Sequence, residues 1–297
     1  MELHQLRYFV EVARLRSFTR AAEKCSVAQP SLSQQIIKLE RELGQPLFER
    51  LGRTVRMTDA GQALYTQAIS ILASVDEIGD RVKAATDPAH GVVHVGAIPT
   101  IAPYLLPPLL SRFSKRFPAA IVALDENLTD FVVRGCLEGD LDIGIIASQV
   151  ANDHLEGEVL FTEELLLALP PKHAFVDRDI ISWDDLAGEP FVLMNELHCL
   201  GEQVVSFCQQ RGCLPAIYCQ SVQLLTIQKL VALGHGISLI PAMARQTERD
   251  RRCIYRSLPG ASVPTRTIRM IWHKDRYQSP IVKEFIQALR EVGRETK

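Results

Sequence analysis

From Leu64 onward the chain carries apolar residues at Leu64, Ala68, Ile71, Val75, Ile78 and Val82, spaced by four, three, four, three and four. That is a repeat of 3.5 residues, the seam of a two-stranded coiled coil whose apolar knobs enter holes on a partner helix. Polar residues fill most positions off the seam, and no proline interrupts it before Pro88. So narrow a stripe suits a partner helix better than a core of its own domain. The repeat therefore predicts a long linker helix that dimerises the chain. It separates a short head from a long body, and two chemically identical heads favour a dyad-symmetric target.

The head is basic. Residues 1–60 hold ten Lys or Arg against seven Asp or Glu, a net charge of +3, while the rest holds 23 against 28, or −5. A basic head on an acidic body is arranged to meet a polyanion. Three short helical patterns fill it. Leu6, Phe9, Val10 and Ala13 share one face of the first. Ser17 is suited to cap the second, which carries Phe18, Ala21 and Ala22. Pro30 fits the first turn of the third, which places Leu32, Ile36, Leu39 and Leu43 inward and ends at Gly44. The small alanines let the third helix cross the second closely, a helix-turn-helix whose later helix enters the major groove with its N-terminal residues. Gln29, Ser31, Ser33, Gln34 and Gln35 point outward there. "PLFERLGRTVRMTDAG" then reads as a two-stranded turn whose Arg50, Arg53 and Arg56 flank the groove and neutralise phosphates. The same pattern also fits a plain three-helix bundle with a solvated polar face.

The stretch "LRYFVEVARLRSFTRAAEKCSVAQPSLSQQIIKLERELGQPLFERLGRTVRMTDAG" resembles, without gaps, the winged helix-turn-helix of LysR-type transcriptional regulators. The resemblance implies that Gln29, Ser33 and Gln34 contact double-stranded DNA, with Arg53 in the wing. Pro30, Ser31 and Arg50 complete the expected DNA-binding set. It also implies an assembly that is usually a homotetramer built on the dimer, and contact with RNA polymerase.

From Gly91 apolar runs alternate with helical stretches. "VVHVGAI", "AIVALDEN" and "LDIGIIAS" read as strands around "APYLLPPLLSRFSKRF" and "LTDFVVRGCLEG" as helices. A second series from about Leu165 runs through "LLLALP", "FVLM", "AIYCQSV" and "GISLIP", with helices at 200–211 and 224–233. "TIRMIWHK" and "PIVKEFIQALREV" add one more strand and helix. Alternation of this kind predicts an α/β domain with a largely parallel sheet. The family resemblance implies two periplasmic-binding-protein-like lobes with a cleft between them, the last strand and helix rejoining the first lobe. The expected organisation is an all-α winged helix-turn-helix over 1–60, a linker helix over 61–88 and an α/β effector domain over 89–297. Its lobes would be 89–162 with 266–297, and 163–265.

No run approaches the ~20 apolar residues that span a bilayer, and the N-terminus lacks the pattern of a signal peptide, so a cytoplasmic protein with no membrane partner is expected. There is no glycine-rich phosphate loop and no helical His pair, so neither an enzyme, a cofactor nor a metal is expected. The seven cysteines are odd in number and unevenly spread, unlike a secreted disulfide framework.

Three of them fall within "HCLGEQVVSFCQQRGC". A helix beginning near Cys199 would set that thiol at the positive end of the helix dipole, which favours the thiolate. His198 would offer a hydrogen bond to the sulfur or to a peroxide oxygen beside it. A thiolate reacts with peroxide to a sulfenic acid, which a second thiol resolves as a disulfide. Cys208 is a resolving candidate, yet nine helical residues amount to roughly 13 Å of rise and half a turn of phase. Because a disulfide needs Cα atoms within about 7 Å, that bond requires the segment to unwind, which Gly201 eases. Cys213 and Cys219 are alternative partners. With Cys25, Cys136 and Cys253 they read otherwise as small buried hydrophobes.

"GDLD", "DLAGEPFVLMNELHCLGEQVVSFC" and "LVALGHGISLIP" resemble the hydrogen-peroxide-sensing branch of the same family. That resemblance implies that Cys199 is the peroxidatic and Cys208 the resolving cysteine, with Thr100, Thr129 and His198 in the peroxide pocket. The branch commonly has Arg-Asp after Cys-Leu, where this chain has Gly201-Glu202. Two other readings compete. A regulator answering to an organic effector in the cleft would keep its response after Cys199→Ser. A thiol peroxidase would turn over with a reductant and have no use for the basic head.

Overall fold

A computed structural model describes residues 1–51, 54–86, 89–195, 197–213, 215–245, 253–258 and 263–295. The chain forms two compact units, Met1–Thr86 and Asp87–Lys297. Of the residues singled out from sequence, Arg53, Pro88 and the side chains of Arg50 and Val82 lie outside the described residues.

The first unit begins with helices α1 (Leu3–Leu15), α2 (Phe18–Lys24) and α3 (Gln29–Leu43). Ser17 caps α2 by accepting the Arg20 amide at 3.4 Å. Ala21 and Ala22 are buried against the Leu32, Ile36 and Leu39 stripe of α3 within one core. The helix stops at Gly44, whose φ of 70° is left-handed and favours glycine. Two expectations fail here. Leu43 is 41% exposed, because it is the last helical residue and the chain turns away at Gly44. Gln35 is not turned outward. Its Oε1 accepts a hydrogen bond at 3.0 Å from Nε2 of Gln5, a fully buried amide on α1 that needs such a partner.

Strands β1 (Phe48–Leu51) and β2 (Thr54–Met57) form the antiparallel wing, rooted by Phe48 against the rings of Phe9 and Phe18. Helix α4 (Asp59–Thr86) follows for 28 residues, a length of about 42 Å. Its first turns belong to the head: Ala68 is fully buried in the head's core, and Leu64 packs against that core. Ala68 is therefore taken up by the head's own core and not by a seam. Further along, Ile71 and Ile78 are 39% and 58% exposed, with Val75 partly buried.

The second unit contains two hydrophobic cores. One is built on β3 (Gly91–Ala97), α5 (Ala102–Arg116), β4 (Ala120–Glu126), α6 (Thr129–Glu138) and β5 (Ile143–Ile146). The long β6 (Leu155–Leu169) gives Leu160 and Phe161 to this core and Leu165, Leu167, Ala168 and Leu169 to the other. The second core takes a short 3-10 turn (Asp184–Leu186), β7 (Pro190–Met194), α7 (Cys199–Gln210), β8 (Ala216–Ser221), α8 (Leu224–Ala232), β9 (Ser238–Pro241), α9 (Ala242–Arg245) and β10 (Ile254–Arg256). Then β11 (Thr265–His273) and α10 (Pro280–Glu295) return to the first core.

The sheet is mixed and not largely parallel. β3 pairs β4 and β5 in parallel, and β7 pairs β8 in parallel, but β6 and β11 run antiparallel to their neighbours. The reason is the double crossover: one strand leaves the first lobe and another comes back, so they must point opposite ways. The long β6 was visible in the sequence only as its apolar half, since residues 155–159 are too polar to read as a buried strand.

Ala68→Asp places an unpaired carboxylate in the head's core and should cost roughly 3 kcal/mol or more. Gln67→Asp, at an exposed position of the same helix off that stripe, should stay within about 0.5 kcal/mol. Urea unfolding of the two full-length variants reads the difference, and equal destabilisation would remove Ala68 from the head's core.

Candidate functional site

In parallel strands the carboxyl ends lie along one edge, so the register of β3 with β4 and β5 brings their exits together: Ala97 lies opposite Glu126 and Ile145. Three short segments leave this edge. The first carries Thr100, 2% exposed. The second runs through Asn127, whose amide donates to Ala97 O at 3.1 Å, into Thr129 at the start of α6. The third begins at Ala147.

Helix α7 reaches this edge from the second lobe. Its periodicity gives it two working faces. Leu200, Val204 and Cys208, four residues apart, are buried in the second core. Cys199 and Gln203, also four apart, face the other way: Cys199 is partly buried against the first core, and Gln203 Nε2 donates to Ala147 O at 2.7 Å. The two thiols named from sequence therefore sit on opposite faces of one helix, each against a different lobe. Gly201 allows the close seating of this turn, since a Cβ there would lie 2.5 Å from Met194 O and 2.8 Å from Asn195 O. A side chain at 201 is excluded on this backbone, which gives Gly201 a packing reason and leaves Glu202 without one.

His198 is the N-cap of α7, 9% exposed, and burial lowers its pKa, so the imidazole is neutral at neutral pH. Cys208 is fully buried, and its thiol is pushed up to about 12 by burial first and then by the neighbouring Cys213. Two polar atoms in this region are buried without a hydrogen-bond partner among the described residues, Thr129 Oγ1 and Gln203 Oε1. Of the cysteines read as buried hydrophobes, Cys136, Cys213 and Cys253 are buried, while Cys25 and Cys219 are only partly so.

The edge is held by a group that the sequence reading missed. Arg266 and Glu163 are paired across β11 and β6 where the chain changes lobes. The Arg266 side chain is 0% and the Glu163 side chain 5% exposed. Arg266 Nε donates to Glu163 Oε1 at 2.8 Å, Nη1 to Thr100 Oγ1 at 2.9 Å and Nη2 to Thr100 O at 3.0 Å. The other carboxylate oxygen accepts the Met243 amide of α9 at 2.9 Å. A signal existed: Arg266 alternates in phase with Ile268 and Met270, and Glu163 with Phe161 and Leu165, which put both charges on the buried face. Away from the thiols, His154, His273 and Asp275 bring potential ligand atoms within 4.8 Å of one another at an exposed corner.

In the first unit Gln29, Pro30, Ser31 and Gln34 are exposed along the N-terminal turns of α3, Ser33 is partly buried, and Arg56 is exposed on the wing.

Residues 3–62 match the bacterial regulatory helix-turn-helix protein, lysR family, and residues 86–294 match the LysR substrate binding domain. The chain belongs to the LysR family of transcriptional regulators. Over 98% of its length it is 35% identical to the DNA-binding transcriptional dual regulator OxyR of Escherichia coli (strain K12), of which it covers 95%. A full-length OxyR variant from Pseudomonas aeruginosa has the same fold, with a TM-score of 0.76 and 31% identity, covering 99% of this chain and 95% of that one. A hydrogen-peroxide-bound OxyR variant from Corynebacterium glutamicum matches with a TM-score of 0.65 and 28% identity, over 99% of this chain and 93% of that one.

Arg266→Met alone strands the Glu163 carboxylate in the interior and should cost about 3–5 kcal/mol, whereas Arg266→Met with Glu163→Leu should recover most of that. Urea unfolding tests the pair, and equal stability of single and double variants would remove the charge from the account. Cys208 gives a pH signature. Its folded pKa lies above the unfolded value of about 8.5, so its contribution is complete below that pH and fades as pH rises toward 12. Stability should therefore fall as pH rises from 8 to 10, and fall less in Cys208→Ala.

Proposed function

We propose that this regulator responds to hydrogen peroxide through oxidation of Cys199 and a disulfide to Cys208. The observation that carries the reading is the lodging of Cys199, at the first turn of α7, against the first core, one turn from Gln203, whose Oε1 lacks a partner among the described residues, as does Thr129 Oγ1 at the start of α6. A small molecule with two hydroxyl groups supplies both a donor and an acceptor to such atoms. Thr100 adds a donor, because its oxygen already accepts from Arg266 and its proton is left to point elsewhere. Neutral His198 has a nitrogen proton to offer the departing oxygen.

The Cys199 thiolate attacks one peroxide oxygen, the O–O bond breaks, and hydroxide leaves as water once protonated. The resulting sulfenic acid is then attacked by Cys208, forming the S–S bond and releasing water. Cys208 is buried in the other core and held protonated, so this second step requires α7 to unwind. Unwinding withdraws Cys208 from its core and frees Gln203 from Ala147, which turns a local oxidation into a rearrangement of the second unit.

The output is proposed to be altered engagement of dyad-symmetric DNA by paired heads. Ile71, Val75 and Ile78 supply the open part of the α4 stripe for self-association, in a homodimer and then a homotetramer that addresses RNA polymerase at the promoter. Gln29, Pro30, Ser31, Ser33 and Gln34, with wing residues Arg50 and Arg53, form the DNA-contacting set.

Reduced protein treated with stoichiometric peroxide, quenched early, then alkylated and mapped by mass spectrometry, should yield Cys199–Cys208 as the first disulfide formed. Thr129→Val should slow its formation roughly tenfold. A response that survives Cys199→Ser would overturn the reading in favour of an organic effector. For the head, Arg56→Ala should make the salt dependence of DNA binding shallower by about 0.9, since one fewer phosphate is neutralised. An unchanged slope removes Arg56 from the interface.

A further inference from the structure

Helix α7 closes with a glycine-dependent turn. Gly212 takes a left-handed φ of 71°, its amide donates to Gln209 O at 3.1 Å, and the Cys213 amide donates back to Cys208 O at 2.9 Å. This pair of hydrogen bonds is a Schellman cap, whose geometry presses the side chain following the turn against the one five positions earlier. Here those side chains are Cys208 and Cys213. Both thiols are buried in the second core, and each bears on the ionisation of the other.

We infer that Cys213 is a third redox residue, which takes over the disulfide from Cys199 and returns Cys199 to its thiol. The inference rests on the peroxide reading above, because it starts from the Cys199–Cys208 bond. In the exchange the Cys213 thiolate attacks Sγ of Cys208, the Cys208–Cys213 bond forms, the Cys199–Cys208 bond breaks, and Cys199 leaves as a thiolate that picks up the proton Cys213 gave up. One disulfide is exchanged for another, so no further oxidant or reductant is consumed. Over the full sequence one peroxide oxidises Cys208 and Cys213 and gives two waters.

Geometry drives the exchange forward. The first disulfide joins opposite faces of a helix across roughly 13 Å and exists only while α7 is unwound. The second joins two thiols of one core, whose backbones are already hydrogen-bonded across a turn of the reduced fold. Strained disulfides are the labile ones, and refolding of Leu200, Val204 and Cys208 into the second core is recovered only when the first bond is broken. The consequence is a response that ends by itself: α7 reforms with Cys199 reduced, ready for a second peroxide.

The test is a time course on the full-length protein, with one equivalent of peroxide added, acid quenching, alkylation and mass spectrometry. Cys199–Cys208 should appear first and give way to Cys208–Cys213, with Cys199 becoming alkylatable again. In Cys213→Ser, or in Cys213→Ala should the serine disturb the cap, Cys199–Cys208 should persist. Titration should show the wild type taking up about two equivalents of peroxide, the second held as a Cys199 sulfenic acid trapped by dimedone, against about one in either variant. A Cys199–Cys208 bond that stays to the end in the wild type overturns the exchange and leaves the peroxide reading standing. A Cys208–Cys213 bond forming equally fast in Cys199→Ser overturns the relay, because the pair would then be oxidised without Cys199. Failure of Cys199 to oxidise at all overturns both.

Discussion

The arrangement of the second unit depends on one buried ion pair. Arg266 and Glu163 face each other across the two strands that connect the lobes, removed from water. Taking two charges out of water is expensive, and it is tolerated only when every hydrogen-bonding direction is met. Here Thr100 from the first lobe and the Met243 amide from the second meet most of them. A hydrophobic pair would fill the same volume, but it would leave the Thr100 segment and the start of α9 free to shift. The ion pair thus sets how the strand edge, the Thr100 hydroxyl and the crossover strands meet.

Helix α7 is built against that fixed edge. Its two faces belong to two lobes, with Cys199 and Gln203 turned to one and Leu200, Val204 and Cys208 to the other. A helix shared in this way cannot be oxidised across its faces and remain a helix. Burying Cys208 as a protonated thiol stabilises the reduced state and also withholds the second thiol until the helix opens. The cap at Gly212 adds a third sulfur to the same core. A structural cap and a thiol pair are here the same object, since the hydrogen bonds that end the helix are what bring the sulfurs together.

Much of this was legible in the chain. The three head helices, the wing, the start of α7 at Cys199 and most strands follow from caps, glycines and periodicity, which are local effects. The reading failed where tertiary context overrode a local pattern. Ala68 fits a coiled-coil stripe, yet the head's core claims it. Gln35 sits on a polar face, yet buried Gln5 draws it inward. The first half of β6 is too polar to announce a strand, but the β11 ladder makes it one. Glu163 and Arg266 were legible in principle, as charges in phase with apolar neighbours.

The sequence by itself determined the kinds of element, their order and the family, because periodicity, capping and a gapless run of matching residues are written in neighbouring positions. Only the tertiary structure decided which lobe each face of α7 serves and that residues 163 and 266 close one ion pair. The physical reason is that a helix or strand pattern states which residues share a face. What that face meets depends on chain reversals and crossovers, which bring together groups more than a hundred residues apart.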